Sequence, residues 1–315
     1  MKLGTILRDG EAHLVARAGD YMVDVTRAAR TARWASEGLP LSLRRLVDAF
    51  DAGDPGPMKA VRRLVEAAMA GSYDELLEPE SPSIAWLPPL VPPKIIAIGL
   101  NYWDHCREQK VEPPKQPVLF AKWTNALNAH RRPIAMAEGS DKVDFEAELG
   151  VIVGKKARRL SEERALSAVF GYTTFDDVTA REYQKGDGQW IRGKSQDTFA
   201  PFGPWVVTAD EIPDPQRLRI ACRVNGVTYQ DSTTAEMIFP VRHLLAFISR
   251  GITLTPGDVI ATGTPNGVGV FRNPPVFLKP GDTVEVEIEG IGRLVNPVVA
   301  ATEASALELP SRWPY

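Results

Sequence analysis

Six of the fifteen residues from Pro79 to Pro93 are proline, and nothing else in the chain restricts its possible folds as much. Proline lacks the amide hydrogen and fixes φ, so it breaks helix interiors and is excluded from central strands. The segment Leu87-Pro-Pro-Leu-Val-Pro-Pro93 therefore reads as a semi-rigid extended linker. It divides the 315 residues into a small N-terminal α+β domain at 1–86, the linker at 87–93 and a larger domain at 94–315. Two domains also suit the usual length of about 100–200 residues each.

Before the linker, Leu3 to Leu7 and Ala12 to Ala16 read as strands around Arg8-Asp9-Gly10-Glu11, where Asp-Gly favours a tight hairpin turn. Leu41 to Phe50 and Met58 to Ala70 repeat apolar residues at helical spacing. After it, strands are expected at Lys94 to Gly99, Phe145 to Val153, Val169 to Phe175, Arg219 to Val224, Val259 to Thr262 and Thr283 to Ile288. Helices are expected at Glu162 to Ala168 and Phe239 to Arg250. Strands and helices do not alternate as in a doubly wound sheet. The pattern predicts a β-rich α+β fold, a roll or sandwich with a few helices.

A net charge of −3 provides no electrostatic footprint for nucleic acid or an anionic membrane. The first residues lack the apolar core of a signal peptide, and no apolar run approaches the roughly 18 residues of a membrane span. The expected location is the cytoplasm. Cys106 and Cys222 are far apart without C-x-x-C spacing, which suggests neither a disulfide framework nor a zinc site.

The stretch Gly188-Gln-Trp-Ile-Arg-Gly-Lys-Ser195 matches the pattern of a phosphate-binding P-loop. Its surroundings do not. A P-loop needs an apolar strand before it and a helix after it, whereas here a polar segment precedes and Pro201, Gly203 and Pro204 follow.

Chemistry is better supported by Asp144-Phe-Glu-Ala-Glu-Leu149. In a strand, Glu146 and Glu148 share one face, and the continuation Val151-Ile-Val153 is apolar on both faces. Two carboxylates beside a buried segment repel unless a cation lies between them. The run ending at Phe175 leads into Asp176-Asp177, either of which could add a third carboxylate or merely cap the turn. Thr179-Ala-Arg-Glu182 has the spacing of a capping box. Three carboxylates without a Cys or His pair suit a hard divalent ion. Asn101 is placed to cap a short helix from Tyr102 to Glu108, which puts His105 and Glu108 on one face, where the carboxylate can orient the imidazole.

Taken in order, Asn101-Tyr-x-Asp-His105, Asp144-Phe-Glu-Ala-Glu-Leu149, Asp177-Val-Thr-Ala-Arg181, Gln189-Trp-x-Arg-Gly-Lys-Ser195, Phe199-Ala-Pro-x-Gly-Pro-Trp205 and Thr262-Gly-Thr-Pro-x-Gly-Val-Gly269 resemble the fumarylacetoacetate hydrolase family from about Lys94 to Val299. The resemblance implies a mixed β-roll, a homodimer and a Mg²⁺ or Mn²⁺ ion, with Ca²⁺ as a stand-in in crystals. It assigns Glu146, Glu148 and Asp177 as metal ligands and His105 with Glu108 and Lys194 as catalytic residues. Arg181, Gln184 and Thr264 would line the substrate site, together with Lys194. Asp176, Glu182 and Gln196 depart from the family's commonest residues, Asn, Asp and an aromatic. The implied activity is hydrolysis of a carbon–carbon bond in acylpyruvate-like 2,4-dioxo acids, as in aromatic catabolism. Decarboxylation or isomerisation of oxaloacetate-like or hydroxydienedioate substrates on the same metal site is the alternative, dehydration using the same enolate logic, and a non-catalytic metal-binding scaffold is the alternative of another class.

Overall fold

The computed structural model describes residues 1–31, 42–72, 76–304 and 306. Strand Lys2–Arg8 pairs antiparallel with Glu11–Ala18. In the turn between them Asp9 and Gly10 have φ of 52° and 76°, as a two-residue hairpin requires. Helices occupy Leu43–Asp51 and Gly56–Met69; Leu41, where the first was expected to begin, lies outside the described residues. The Ser42 hydroxyl caps the first helix by accepting the Arg45 N–H. Within the proline-dense stretch, Ala85–Leu87 adds a strand to Lys2–Arg8, and Trp86, Leu87 and Leu90 are buried.

The strands Ala200–Thr208, Val169–Asp176, Ala147–Val153, Val259–Ala261, Ile95–Gly99 and Val118–Lys122 lie side by side in that order within one large sheet. All these neighbours are antiparallel except Val259–Ala261 with Ile95–Gly99. Lys2–Arg8 joins the same sheet through Ala200–Thr208. A second sheet orders Val227–Thr233, Arg219–Val224, Thr283–Ile288, Gly292–Val299 and Ile134–Ala135. It packs on the inner strands of the first, whose Ala147–Val153 member is buried along its whole length. Both sheets have free ends, so neither is a closed barrel. The architecture is the mixed, β-rich roll that the strand pattern and the family resemblance implied.

Some boundaries differ for local reasons. The strand expected from Phe145 begins at Ala147, because the Glu146 N–H bonds the Asp176 carboxylate and the Glu146 carbonyl takes the Asp177 N–H. Glu162–Ala165 is α-helical but Leu166–Ala168 tightens to a 3₁₀ turn. The helix expected from Phe239 runs Val241–Ser249, starting after Pro240, which has no N–H to donate.

His130 gives the fold a pH dependence. It is 6% exposed, and its Nδ1 accepts the Val295 N–H at 3.1 Å. Burial, assisted by Arg131 and Arg293, lowers its pKa from 6.5 to about 3. As pH falls through that window the unfolded chain takes a proton that the folded chain refuses, so stability declines by about 1.4 kcal/mol per pH unit. His130→Asn retains an acceptor without a titrating ring. Its urea midpoint should fall less steeply than that of the wild type between pH 6.5 and about 5; parallel slopes would show that the ring is not held neutral.

Candidate active site

The antiparallel pairing of Ala147–Val153 with Val169–Asp176 sets Ala147 opposite Asp176 and Glu148 opposite Phe175. It thereby gathers Glu146, Glu148 and Asp177, whose carboxylate oxygens lie within 4.8 Å of one another, all buried. Asp177 is the third carboxylate. Asp176 instead turns inward, where burial pushes its pKa up to about 7 and one oxygen accepts the Glu146 N–H at 2.9 Å.

The three carboxylates are not equally compensated. Burial pushes Glu146 up, but Lys194 and Arg181 outweigh it and hold its pKa at about 2. Asp177 takes Lys122 Nζ at 2.5 Å and Lys194 Nζ at 2.7 Å. Glu148 accepts the Gly263 N–H at 2.9 Å and has no ion pair among the described residues. Burial, then the charges of Asp177 and Glu146, raises its pKa well above the usual carboxylate range. An unpaired buried carboxylate facing two others is relieved by a cation that all three can reach, and all-oxygen donors suit a hard divalent ion. The donor set therefore fits a divalent metal.

Lys194, at the end of the short helix Ile191–Lys194, bonds Glu146 Oε2 and Asp177 Oδ2, each at 2.7 Å. Burial opposes its charge, but Asp177 and Glu146 raise its pKa. These contacts account for the lysine of the P-loop-like stretch, which follows helix Arg181–Gly186 rather than a strand. Gly193 is required by close packing: a Cβ there would lie 2.5 Å from the Gln184 backbone nitrogen. Arg181 grips Asp144 at 2.7 and 2.8 Å and Glu146 at 2.7 Å. Gln184 Oε1 accepts from Arg181 Nη1 at 3.0 Å.

The capping box expected at Thr179 does not form. Thr179 donates to the Asp177 carbonyl, the helix starts after Ala180 without a side-chain cap, and Glu182 bonds Ser140 and Lys142.

His105 lies on helix Trp103–Gln109. Its N-cap is Tyr102, not Asn101, whose side chain instead ties the Thr262 carbonyl and both backbone groups of Phe239. His105 Nδ1 meets Glu108 Oε2 at 3.2 Å, and Glu108 Oε1 accepts the Gly267 N–H at 2.9 Å. An ionised carboxylate only accepts, so Nδ1 carries the proton and Nε2 the lone pair. The Gln109 amide stands 2.7 Å from that Nε2.

His105, Glu146, Arg181, Gln184, Lys194 and Thr264 line one cavity of about 350 Å³, walled by Phe120, Trp190 and Phe271. Glu108, Glu148 and Asp177 are not part of that lining. Thr264 is fixed by donating to the Ala147 carbonyl and accepting from Gln230. Four further residues of the site were not identified from the sequence: Lys122 on Asp177, Asp144 beneath Arg181, Gln109 on His105 and Gln230 on Thr264. Asp144 stood inside a recognised motif, and Lys122 closes an otherwise apolar strand; neither signal indicates the partner.

The profile of the fumarylacetoacetate (FAA) hydrolase C-terminal family matches residues 94–299. The chain belongs to the fumarylacetoacetate hydrolase family. This family member is 45% identical over 260 residues to an oxaloacetate tautomerase of Xenopus laevis named as mitochondrial, covering 80% of this chain and 82% of that one. Its structure is similar to a fumarylacetoacetate hydrolase from Exiguobacterium antarcticum, with a TM-score of 0.78 and 35% identity, covering 95% and 99% of the two chains. It is also similar to a 5-carboxymethyl-2-hydroxymuconate delta-isomerase from Mycobacterium smegmatis, with a TM-score of 0.69 and 31% identity over 95% and 99%. Among the described residues no helix is long and apolar enough to cross a membrane. The protein is thus a family enzyme for small molecules, with an acidic triad able to hold a divalent ion.

Proposed function

We propose that this enzyme interconverts the enol and keto forms of a 2-oxo acid of the oxaloacetate type. The observation that carries the reading is a candidate base and a candidate acid on one cavity: the imidazole of His105, paired with Glu108, and the ammonium of Lys194. Tautomerisation moves one proton between carbon and oxygen, and those two groups are what it needs. His105 removes the proton from the carbon next to the ketone, while Glu108 orients the ring and stabilises its charge. Lys194 faces the oxygen on which negative charge develops and returns a proton to it; the reverse reaction retraces the path. Arg181 forms the wall against which the substrate's inner carboxylate is oriented, with Gln184 beside it on the lining. Glu146, Glu148 and Asp177 would hold Mg²⁺ or Mn²⁺, whose Lewis acidity favours charge on a ketone-derived oxygen. A homodimer, and the division at 87–93, belong to the same reading.

The family resemblance by itself led toward hydrolysis of acylpyruvates. The 45% identity to an oxaloacetate tautomerase supports the isomerising alternative more strongly than the 35% identity to a hydrolase supports cleavage. Hydrolysis is the second reading, with His105 taking its proton from water.

The test follows enol absorbance of oxaloacetate with chelator-treated enzyme, with and without Mg²⁺ or Mn²⁺, beside an acylpyruvate panel. Metal-dependent ketonisation, without release of CO₂ or a second acid, is expected. Acid release from acylpyruvates together with no effect on oxaloacetate would replace the proposal by hydrolysis.

A further inference from the structure

We infer that Lys185 selects substrates bearing a second carboxylate, an assignment that rests on the tautomerase reading for the chemistry at the cavity's inner end. Lys185 lines the same cavity as His105 and Lys194 but is itself exposed, on the turn of helix Arg181–Gly186 next to Gln184. The other cations of the lining are compensated: Arg181 by Asp144 and Glu146, Lys194 by Glu146 and Asp177. Lys185 has no ion-pair partner among the described residues. The acids near it in sequence are engaged elsewhere, Glu182 with Ser140 and Lys142, Asp187 with Arg192 at 2.5 Å.

Gln184 adds a donor to the same wall. Its Oε1 is taken by Arg181, which leaves the amide N–H groups for a ligand. An uncompensated ammonium beside a free amide donor matches a carboxylate. Elsewhere the lining is largely apolar, with Ile98, Phe120, Trp190, Val270 and Phe271, and its remaining amide, on Gln109, is engaged with His105. A 2-oxo acid held at its inner carboxylate and ketone would present its distal carboxylate to Lys185.

Calorimetric titration of the Mg²⁺-loaded protein with malate and with lactate isolates this contact, since the two 2-hydroxy acids differ by the distal carboxylate. The wild type should bind malate about two- to fivefold more tightly, the range for an exposed ion pair. Lys185→Gln should bring the two affinities close to parity, and Lys185→Arg should restore the gap. No malate preference in the wild type, or an undiminished preference in Lys185→Gln, overturns the assignment. If the preference depends on Lys185 but enol oxaloacetate is not turned over, the tautomerase reading fails and the selectivity stands; turnover with a Lys185-independent preference means the converse.

Discussion

Glu148→Gln is expected to weaken divalent-metal binding by about 100-fold or more while leaving the metal-free protein at least as stable as the wild type. Both effects come from one circumstance. Glu148 is 1% exposed, faces Glu146 and Asp177, and among the described residues has only the Gly263 N–H as a partner. Its charge is useful to a bound cation and unfavourable without one. The glutamine carbonyl still accepts from Gly263, so the strand end keeps its hydrogen bond, while a neutral amide no longer repels the two neighbouring carboxylates. Calorimetry with Mn²⁺ reads the first effect, and thermal melts in chelator read the second. An unchanged Kd would remove Glu148 from the ligand set; a large loss of chelated stability would mean that its charge is paired in the folded protein.

His105→Gln is expected to lower turnover by about 10²- to 10⁴-fold, the usual contribution of a positioned general base, with Mn²⁺ affinity retained. The separation of readouts follows from geometry, since His105 contacts Glu108 and Gln109 and is not one of the three clustered carboxylates. Turnover within about threefold of wild type would place the base elsewhere.

The sequence made the metal-ligand candidates legible because strand alternation is local. Glu146 and Glu148 converge even though Glu146 lies one residue before the ladder. The hairpin was legible for the same reason, Asp9 and Gly10 being a turn signal that needs no distant partner. The supporting residues were not legible. Lys122 reaches Asp177 from 55 positions away, and Gln230 reaches Thr264 across 34. Such pairings exist only once the strands are ordered, and no spacing rule encodes them. The caps expected at Asn101 and Thr179 failed through rivalry: the Asn101 amide found the distant Thr262 carbonyl of the assembled fold, and the Thr179 hydroxyl the nearby Asp177 carbonyl, in place of their helices. Local preference yields to tertiary partners where a polar group is fully buried.

Lys194 has one more consequence, for which ions the carboxylates accept. Any cation entering among them must displace or outbid an ammonium already bonded to Glu146 and Asp177 at 2.7 Å each. Sodium or potassium brings no more charge than that ammonium and gains little by the exchange. A doubly charged ion gains roughly twice the attraction, and it also satisfies Glu148, which the lysine leaves alone. The lysine would thus act as a tethered monovalent competitor, and a metal held by these carboxylates would be selected by valence before size.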